Sequence, residues 1–404
     1  MDLSTETRWR ARGMVKNQAN VVTLSMDQIR DLAMRQPGTP VLSLYVRTDP
    51  RDPANTAAVP GWLVELRNSL REVSHEVDMR ESRQRRMAFR DLREQVERDV
   101  LALEPAERGR GLAWFQTTDG TLDHRFTLQL PPLKTLVRWD DRPYVSPLAE
   151  VAGRGRPVGL VLVSAEAIRL LHWQDGRVTE PARSLYEIEP GRWRDYDGYV
   201  GYPGRSPAGM HVAEFDQRVK EWHQRFLRAT AQAVGVQVAG KGWQRILLAG
   251  EPRVTGPFLQ RLPEPASGLV AAAIDANLIW EDHAAVAERL DGALHHAALR
   301  QARELAEETI RRAFAGAEAA IGWPEVTDSL VHHRVRHLIV GADAAPDPAV
   351  LDPQTQAALG WPSVQMLVER AVEQAVISGA EVTVLPADTP ELIRAGGAGA
   401  ILRY

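Results

Sequence analysis

A change of period inside one stretch constrains this chain more than any other feature. From Trp193 to Met210 the residues suit a loop. Gly198, Gly201, Gly204 and Gly209 alternate with Pro203 and Pro207, and Tyr199, Tyr202 and Arg205 stand among them. From His211 to about Ala233 the pattern turns helical. Val212, Phe215, Val219, Trp222, Phe226, Ala229 and Ala233 recur at alternating steps of three and four, which makes one apolar stripe. Glu214, Asp216, Arg218, Lys220, Glu221, Arg225 and Arg228 keep the other face wet. Glycines permit close backbone approach to a ligand, and a helix N-terminus offers free N–H groups to an anion. The plain alternative is a solvent-exposed connection between a strand and a helix.

The flanks of this stretch give it a fold. Residues 158–164, 167–173 and 177–180 read as three successive strands, and Asp175-Gly176 makes the second turn a hairpin. Beyond the helix come a strand at 245–249, a helix around 255–262 and a strand at 269–274. Three antiparallel strands followed by helix–strand–helix–strand is the order of a ribonuclease-H-like sheet with helices on its faces.

The rest of the chain supplies two further α/β units, giving a mixed α/β class with three domains. A basic arm, 1–20, precedes an N-terminal α/β domain, 21–135, in which Ser25 caps a short helix and 41–46 is a buried strand. Two charged helices follow, at 61–77 and 83–103, and then a hairpin around Thr118-Asp119-Gly120. Arg80, Arg83, Arg85, Arg86, Arg90 and Arg93 make the second helix the densest basic segment. Interleaved acids favour a salt-bridged solvated face there over an RNA-binding one. Residues 136–157 read as a proline-punctuated extended connector, 158–280 as the ribonuclease-H-like middle domain with its loop at 198–210, and 281–404 as a long helix plus a smaller α/β/α domain. The long helix should bridge domains.

Composition narrows the chemistry. With 404 residues, 44% hydrophobic and 25% charged, the chain is an ordinary globular one of two or three domains. It has no cysteine, so disulfides, thiolate catalysis and cysteine zinc sites are excluded. No uninterrupted apolar run is long enough to span a membrane, and the first residues lack signal-peptide order, so a cytoplasmic home is expected. A net charge of −4 requires any nucleic-acid contact to use a local basic patch. Gly235 to Lys241 spells the first part of a phosphate-binding P-loop, but Gly242 stands where Ser or Thr is required and the strand–loop–helix order is reversed. Gly396-Gly397-Ala398-Gly399 reads as a turn into the last strand. His295-His296 and His332-His333 lack the helical spacing of a zinc site, and Glu281-Asp282-His283 suits a helix start. No metal and no cofactor is expected.

Four stretches carry a resemblance. They are 41–46 (Val-Leu-Ser-Leu-Tyr-Val), Arg142-Pro-Tyr-Val-Ser-Pro-Leu148 entering the 159–163 strand, 335–340 (Val-Arg-His-Leu-Ile-Val), and the C-terminal 395–404. In that order they resemble the bacterial relatives of the archaeo-eukaryotic class-one release factors, the group that also includes Pelota, Vms-type peptidyl-tRNA hydrolases and Balon-type hibernation factors. The resemblance implies a variable first domain, a ribonuclease-H-like middle domain and a third domain of the L7Ae/L30e type. It also gives the loop a role. In release factors this loop carries Gly-Gly-Gln ahead of a long helix, and the glutamine positions the water that cleaves peptidyl-tRNA. Here Ala208, Gly209 and Met210 fall at those positions. A thioether cannot orient water as an amide does, so the usual hydrolysis is not expected.

The family then implies a ribosome-associated, tRNA-mimicking factor acting in rescue, quality control or hibernation. Its partners would be the A site of the large subunit, ribosomal RNA and a translational GTPase, with no membrane. Tyr199 and Tyr202 would stack on bases, Arg205 would meet phosphate, and Arg218, Lys220, Arg225 and Arg228 would follow the RNA backbone. Two alternatives stand beside this reading. One is a peptidyl-tRNA hydrolase with a non-standard residue in the same loop. The other is a ribosome-independent binding module on the same folds.

Overall fold

A computed structural model describes residues 24–164, 167–185, 208–342 and 366–404. The chain opens with α1 (Met26–Ala33), β1 (Val41–Val46), α2 (Gly61–Arg80), α3 (Arg83–Ala102), the single turn α4 (Pro105–Arg108), β2 (Gly111–Thr117), β3 (Asp123–Leu128) and β4 (Leu136–Asp140). The four strands form an antiparallel sheet in the order β3-β2-β1-β4. Ser25 caps α1 as expected, with its Oγ accepting from Gln28 N at 3.2 Å while Gln28 Oε1 accepts from Ser25 N at 3.0 Å. β1 is central and buried on both faces. Leu42, Leu44 and Val46 pack under α2 and α3 with Leu66, Leu70, Phe89 and Val96. Val41 and Tyr45 point the other way, into a larger core. On the basic helices the expected charge pairing is present, as in Arg67–Glu97 at 2.6 Å and Arg85–Glu81 at 3.3 Å.

The stretch expected as an extended connector is built differently. Residues 136–140 are β4, which pairs with β1, and Ser146–Arg154 is a helix, α5, with Leu148, Ala149 and Val151 buried. Pro147 sits in the first helical turn, where its missing N–H costs nothing. Proline punctuation therefore marked a helix start here and not a linker.

The second sheet follows: β5 (Val158–Val163), β6 (Ala167–Gln174), β7 (Arg177–Leu185), α6 (Ala208–Lys241), β8 (Arg245–Ala249), α7 (Pro252–Leu259) and β9 (Val270–Ile274). The strand order is β7-β6-β5-β8-β9. β5, β6 and β7 are antiparallel, and β8 and β9 run parallel to β5, which is the ribonuclease-H-like arrangement. The β6–β7 turn has positive φ at both central residues, 49° at Asp175 and 78° at Gly176, as a two-residue hairpin of this twist requires.

The third sheet is preceded by α8 (His283–Phe314). Then come β10 (Ala319–Ile321), α9 (Trp323–Val331), β11 (Val335–Ala342), α10 (Leu367–Ile377), β12 (Glu381–Pro386), α11 (Pro390–Arg394) and β13 (Ala398–Leu402), with strand order β10-β13-β11-β12. Gly396 and Gly397, at φ 69° and 87°, turn the chain into β13 as expected. Helix α8 spans about 48 Å at 1.5 Å per residue. Val286, Leu290 and Leu294 pack in the core shared with the second sheet, while Ala306 packs with Ile339 and Leu385 of the third and with Leu392 of α11. Asp282 caps it by accepting from Ala285 N at 2.8 Å, and His283 meets Glu180 at 3.1 Å, so the Glu281-Asp282-His283 run is a helix start. Gly235–Lys241, the P-loop-like run, is the last part of α6. Among the described residues no helix is long and apolar enough to cross a membrane, and no group of three or more His, Cys, Asp or Glu could hold a metal.

Candidate nucleic-acid interface

Helix α6 is the element on which the expected interface rests. Over its last half the buried positions are Leu227, Thr230, Ala231, Val234 and Val238. They pack on Val161, Val163, Ile168, Leu170, Ile246 and Leu248 of the second sheet and on Phe258 of α7. This stripe lies roughly a third of a turn round the helix from the expected one, at about 100° per residue. Phe226 and Ala233 are half-buried and Ala229 is exposed. The sequence carries two adjacent stripes of the same period, and only the sheet's position selects between them.

The helix ends at Lys241, and Gly242, at φ 62°, reverses the chain. Trp243 then folds back onto the sheet. Its Nε1 donates to His172 Nδ1 at 2.9 Å, and the other His172 nitrogen lies 3.3 Å from Gln174 Oε1. Burial holds the His172 pKa below its ordinary value, so the ring is neutral, with Nδ1 the acceptor and Nε2–H the donor to Gln174. The indole lies against Gly159 of β5, where no side chain intervenes.

The outward face of α6 is polar. Gln224, Arg225 and Arg228 are exposed, and neither arginine has an ion-pair or hydrogen-bond partner among the described residues. Arg218 and Lys220 lie on the same helix, but their side chains are outside the described residues, as are Tyr199, Tyr202 and Arg205 altogether. Ala208, Gly209 and Met210 form the first turn of α6. They were expected at the end of the loop, with the helix starting at His211. Pro207 immediately before Ala208 suits entry into a helix, which is the signal the apolar stripe alone does not give.

What sequence reasoning missed is the junction that joins this unit to its neighbours. The Arg142–Leu148 motif enters α5, and Glu369 of α10 caps that helix from across the molecule. Its carboxylate accepts from Val145 N at 2.6 Å and Ser146 N at 3.2 Å. Arg142 pairs with Glu373 at 2.7 Å. Arg370 bridges Glu373 at 2.7 Å and Asp140 of β4 at 3.1 Å. Tyr144 N donates to Ser43 Oγ at 3.0 Å, and Tyr45 Oη donates to the Tyr144 carbonyl at 2.5 Å. Burial pushes the Glu369 pKa up to about 7 against the pull of the two backbone N–H groups, and burial likewise raises Asp140 against the Arg370 charge. One short motif thus ties the first sheet, α5 and α10 together. On the α10 side its trace in the sequence was the charged run Glu369-Arg370 with Glu373, set in a largely apolar helix.

Residues 143–295 match the family model of bacterial archaeo-eukaryotic release factor family 10. Over that span the chain is similar to the bacterial archaeo-eukaryotic release-factor-like proteins. The matched segment takes in α5, the second sheet, residues 198–207, α6 and the start of α8. The chain is also 20% identical over 255 residues to the uncharacterized protein YocB of Bacillus subtilis (strain 168), covering 63% of this chain and 93% of that one. Among solved structures it is similar to an archaeal Pelota in a model of ribosome-bound Pelota and ABCE1, at 12% identity, 95% coverage of each chain and a TM-score of 0.40. It is likewise similar to Dom34 of S. cerevisiae, a translation termination-like factor involved in RNA quality control pathways and interacting with Hbs1. There the identity is 11%, the coverage 75% of this chain and 82% of that one, and the TM-score 0.36.

Proposed function

We propose that this chain is a ribosome-associated, tRNA-mimicking factor of rescue, quality control or hibernation, whose residues 198–210 enter the A site of the large subunit. The observation that carries the reading is the family match, which runs through residues 198–207 into α6. Further along, α6 presents two exposed arginines that have no partner among the described residues. Arg225 and Arg228 would meet phosphates, and Arg218 and Lys220 would do so nearer the loop. Tyr199, Tyr202 and Arg205 would supply stacking and a phosphate contact inside the loop. A translational GTPase would be the second partner. With Met210 at the glutamine position the factor would bind without cleaving peptidyl-tRNA.

The charge on α6 gives the test. Binding of an Arg225→Glu/Arg228→Glu variant to purified large subunits is expected to be weaker by about 10- to 100-fold at low salt. Its affinity should also fall less steeply with added salt, because fewer phosphates are neutralised. Unchanged affinity and salt dependence would remove α6 from the interface. Release of peptide from stalled peptidyl-tRNA by the wild-type chain would instead favour the hydrolase alternative.

A further inference from the structure

A cavity of about 500 Å³ opens where the leading ends of β5 and β8 meet α8 and the β11–β12 edge. Leu269, Leu299, Leu305 and Val384 give it apolar walls. A volume of this size suits a small organic ligand, for which pockets run to about 300–1,000 Å³. At its polar end stands Arg245, the first residue of β8, which is only 5% exposed. Among the described residues its guanidinium has no ion pair and no hydrogen bond, and its Nε is a buried donor without an acceptor.

The other charges around the cavity are matched. Arg154 pairs with Glu150. Arg156 pairs with Glu381 at 2.8 Å and reaches Gln244 at 3.4 Å. His337 contacts Thr383 Oγ1 at 2.8 Å and Glu381 at 3.3 Å. Burial lowers its pKa to about 4, so near neutral pH it adds a donor and no charge. Burial, and after it the neighbouring Arg156 charge, bring Arg245 down to about 10, so it remains a cation at neutral pH. A buried cation without a counter-ion is costly, and folded chains ordinarily pair such a group. A planar guanidinium with free donors, beside a second guanidinium and facing an apolar chamber, fits a phosphate group in particular.

We propose that this cavity binds a small phosphate monoester, its phosphate held by Arg245 and Arg156 and its organic body packed between Leu269 and Leu299. The ligand would sit between the second sheet, α8 and the third sheet, away from α6, so the site is independent of the nucleic-acid reading.

The full-length chain is titrated calorimetrically with inorganic phosphate, phenyl phosphate and adenosine monophosphate. Phenyl phosphate or the nucleotide is expected to bind at least about tenfold more tightly than phosphate alone, because only they fill the apolar chamber. Arg245→Met should abolish binding of all three, yet melt without ligand at or above the wild-type temperature, since it removes an unmatched buried charge. Arg253→Met, at an exposed arginine of α7, should bind as wild type. Leu299→Trp should lose phenyl phosphate while keeping phosphate. The proposal is overturned by absence of binding for all three probes up to about 10 mM. It is equally overturned if Arg245→Met binds them as the wild type does, or if Arg253→Met loses them.

Discussion

Replacing Glu369 by Ala will lower the unfolding free energy by about 2–6 kcal/mol, at about 1–3 kcal/mol for each of two donors left without an acceptor. The mechanism is loss of both acceptors for the Val145 and Ser146 N–H groups, which begin α5 and have no replacement in that buried position. Equilibrium denaturation with urea reads the loss as a shift of midpoint. Glu369→Gln keeps an amide oxygen for one of the two donors and should cost less than half as much.

The same pair of variants carries a pH signature. The Glu369 carboxyl titrates at about 7 in the folded chain against its ordinary 4.5. Between those values the folded state binds the proton and the unfolded state does not, so this group's contribution to stability is fully present below about pH 4.5 and is lost as pH rises through 7. A shift of this size corresponds to about 3 kcal/mol. Measured at pH 5 and pH 8, the stability advantage of wild type over Glu369→Gln should therefore shrink at the higher pH by an amount of that order. A constant difference across the range would show that Glu369 is charged throughout. The buried His337 acts in the opposite sense. His337, held down to about 4, costs stability as pH falls from its ordinary 6.5, which is why the comparison is made against Glu369→Gln and not read from wild type alone.

Gly159→Ala should destabilise by about 2–3 kcal/mol, although it adds a single methyl group. Gly159 lies on β5 between His172 of β6 and Ile246 of β8, so its backbone is held on both sides. An added Cβ would overlap the Trp243 ring at Cε3. Trp243 is buried and tied to His172, so the ring cannot move aside without breaking that hydrogen bond and lifting the end of α6. A double-mutant cycle with Trp243→Leu checks the cause. In that background the methyl group should cost less than about 1 kcal/mol, and additive costs would contradict the contact.

Much of this architecture was legible because local chemistry and tertiary position agree. The 41–46 run is apolar at every position but Ser43 because β1 is buried on both faces, and that needs no partner to be read. Asp175-Gly176 specifies its turn through backbone sterics alone. The long helix α8 follows from an unbroken Ala/Glu/Arg/Leu pattern. Legibility failed where a distant element decides. The 136–157 stretch looks like a linker because proline breaks its pattern, yet β4 exists through pairing with β1, and α5 is capped by a residue more than two hundred positions away. On α6, the Phe226/Ala229/Ala233 stripe and the Leu227/Ala231/Val234/Val238 stripe have equal claim until the sheet chooses. Arg245 gave no signal either, since a charged residue opening a strand ordinarily reaches solvent, and here α8 and the third sheet close over it. Of the expected interface, Arg225 and Arg228 stand exposed as anticipated, and the Ala208-Gly209-Met210 triplet proved to be the start of the helix itself.

Co-sedimentation of the full chain with ribosomes tests the central claim most directly. Extracts from growing and stationary cells are layered on sucrose cushions at low salt, and the pellet is probed for the chain. The account predicts a ribosome-bound fraction that is released as salt is raised, smaller for Arg225→Glu/Arg228→Glu than for wild type. A chain that stays wholly in the supernatant in both extracts, and with purified large subunits, would contradict it.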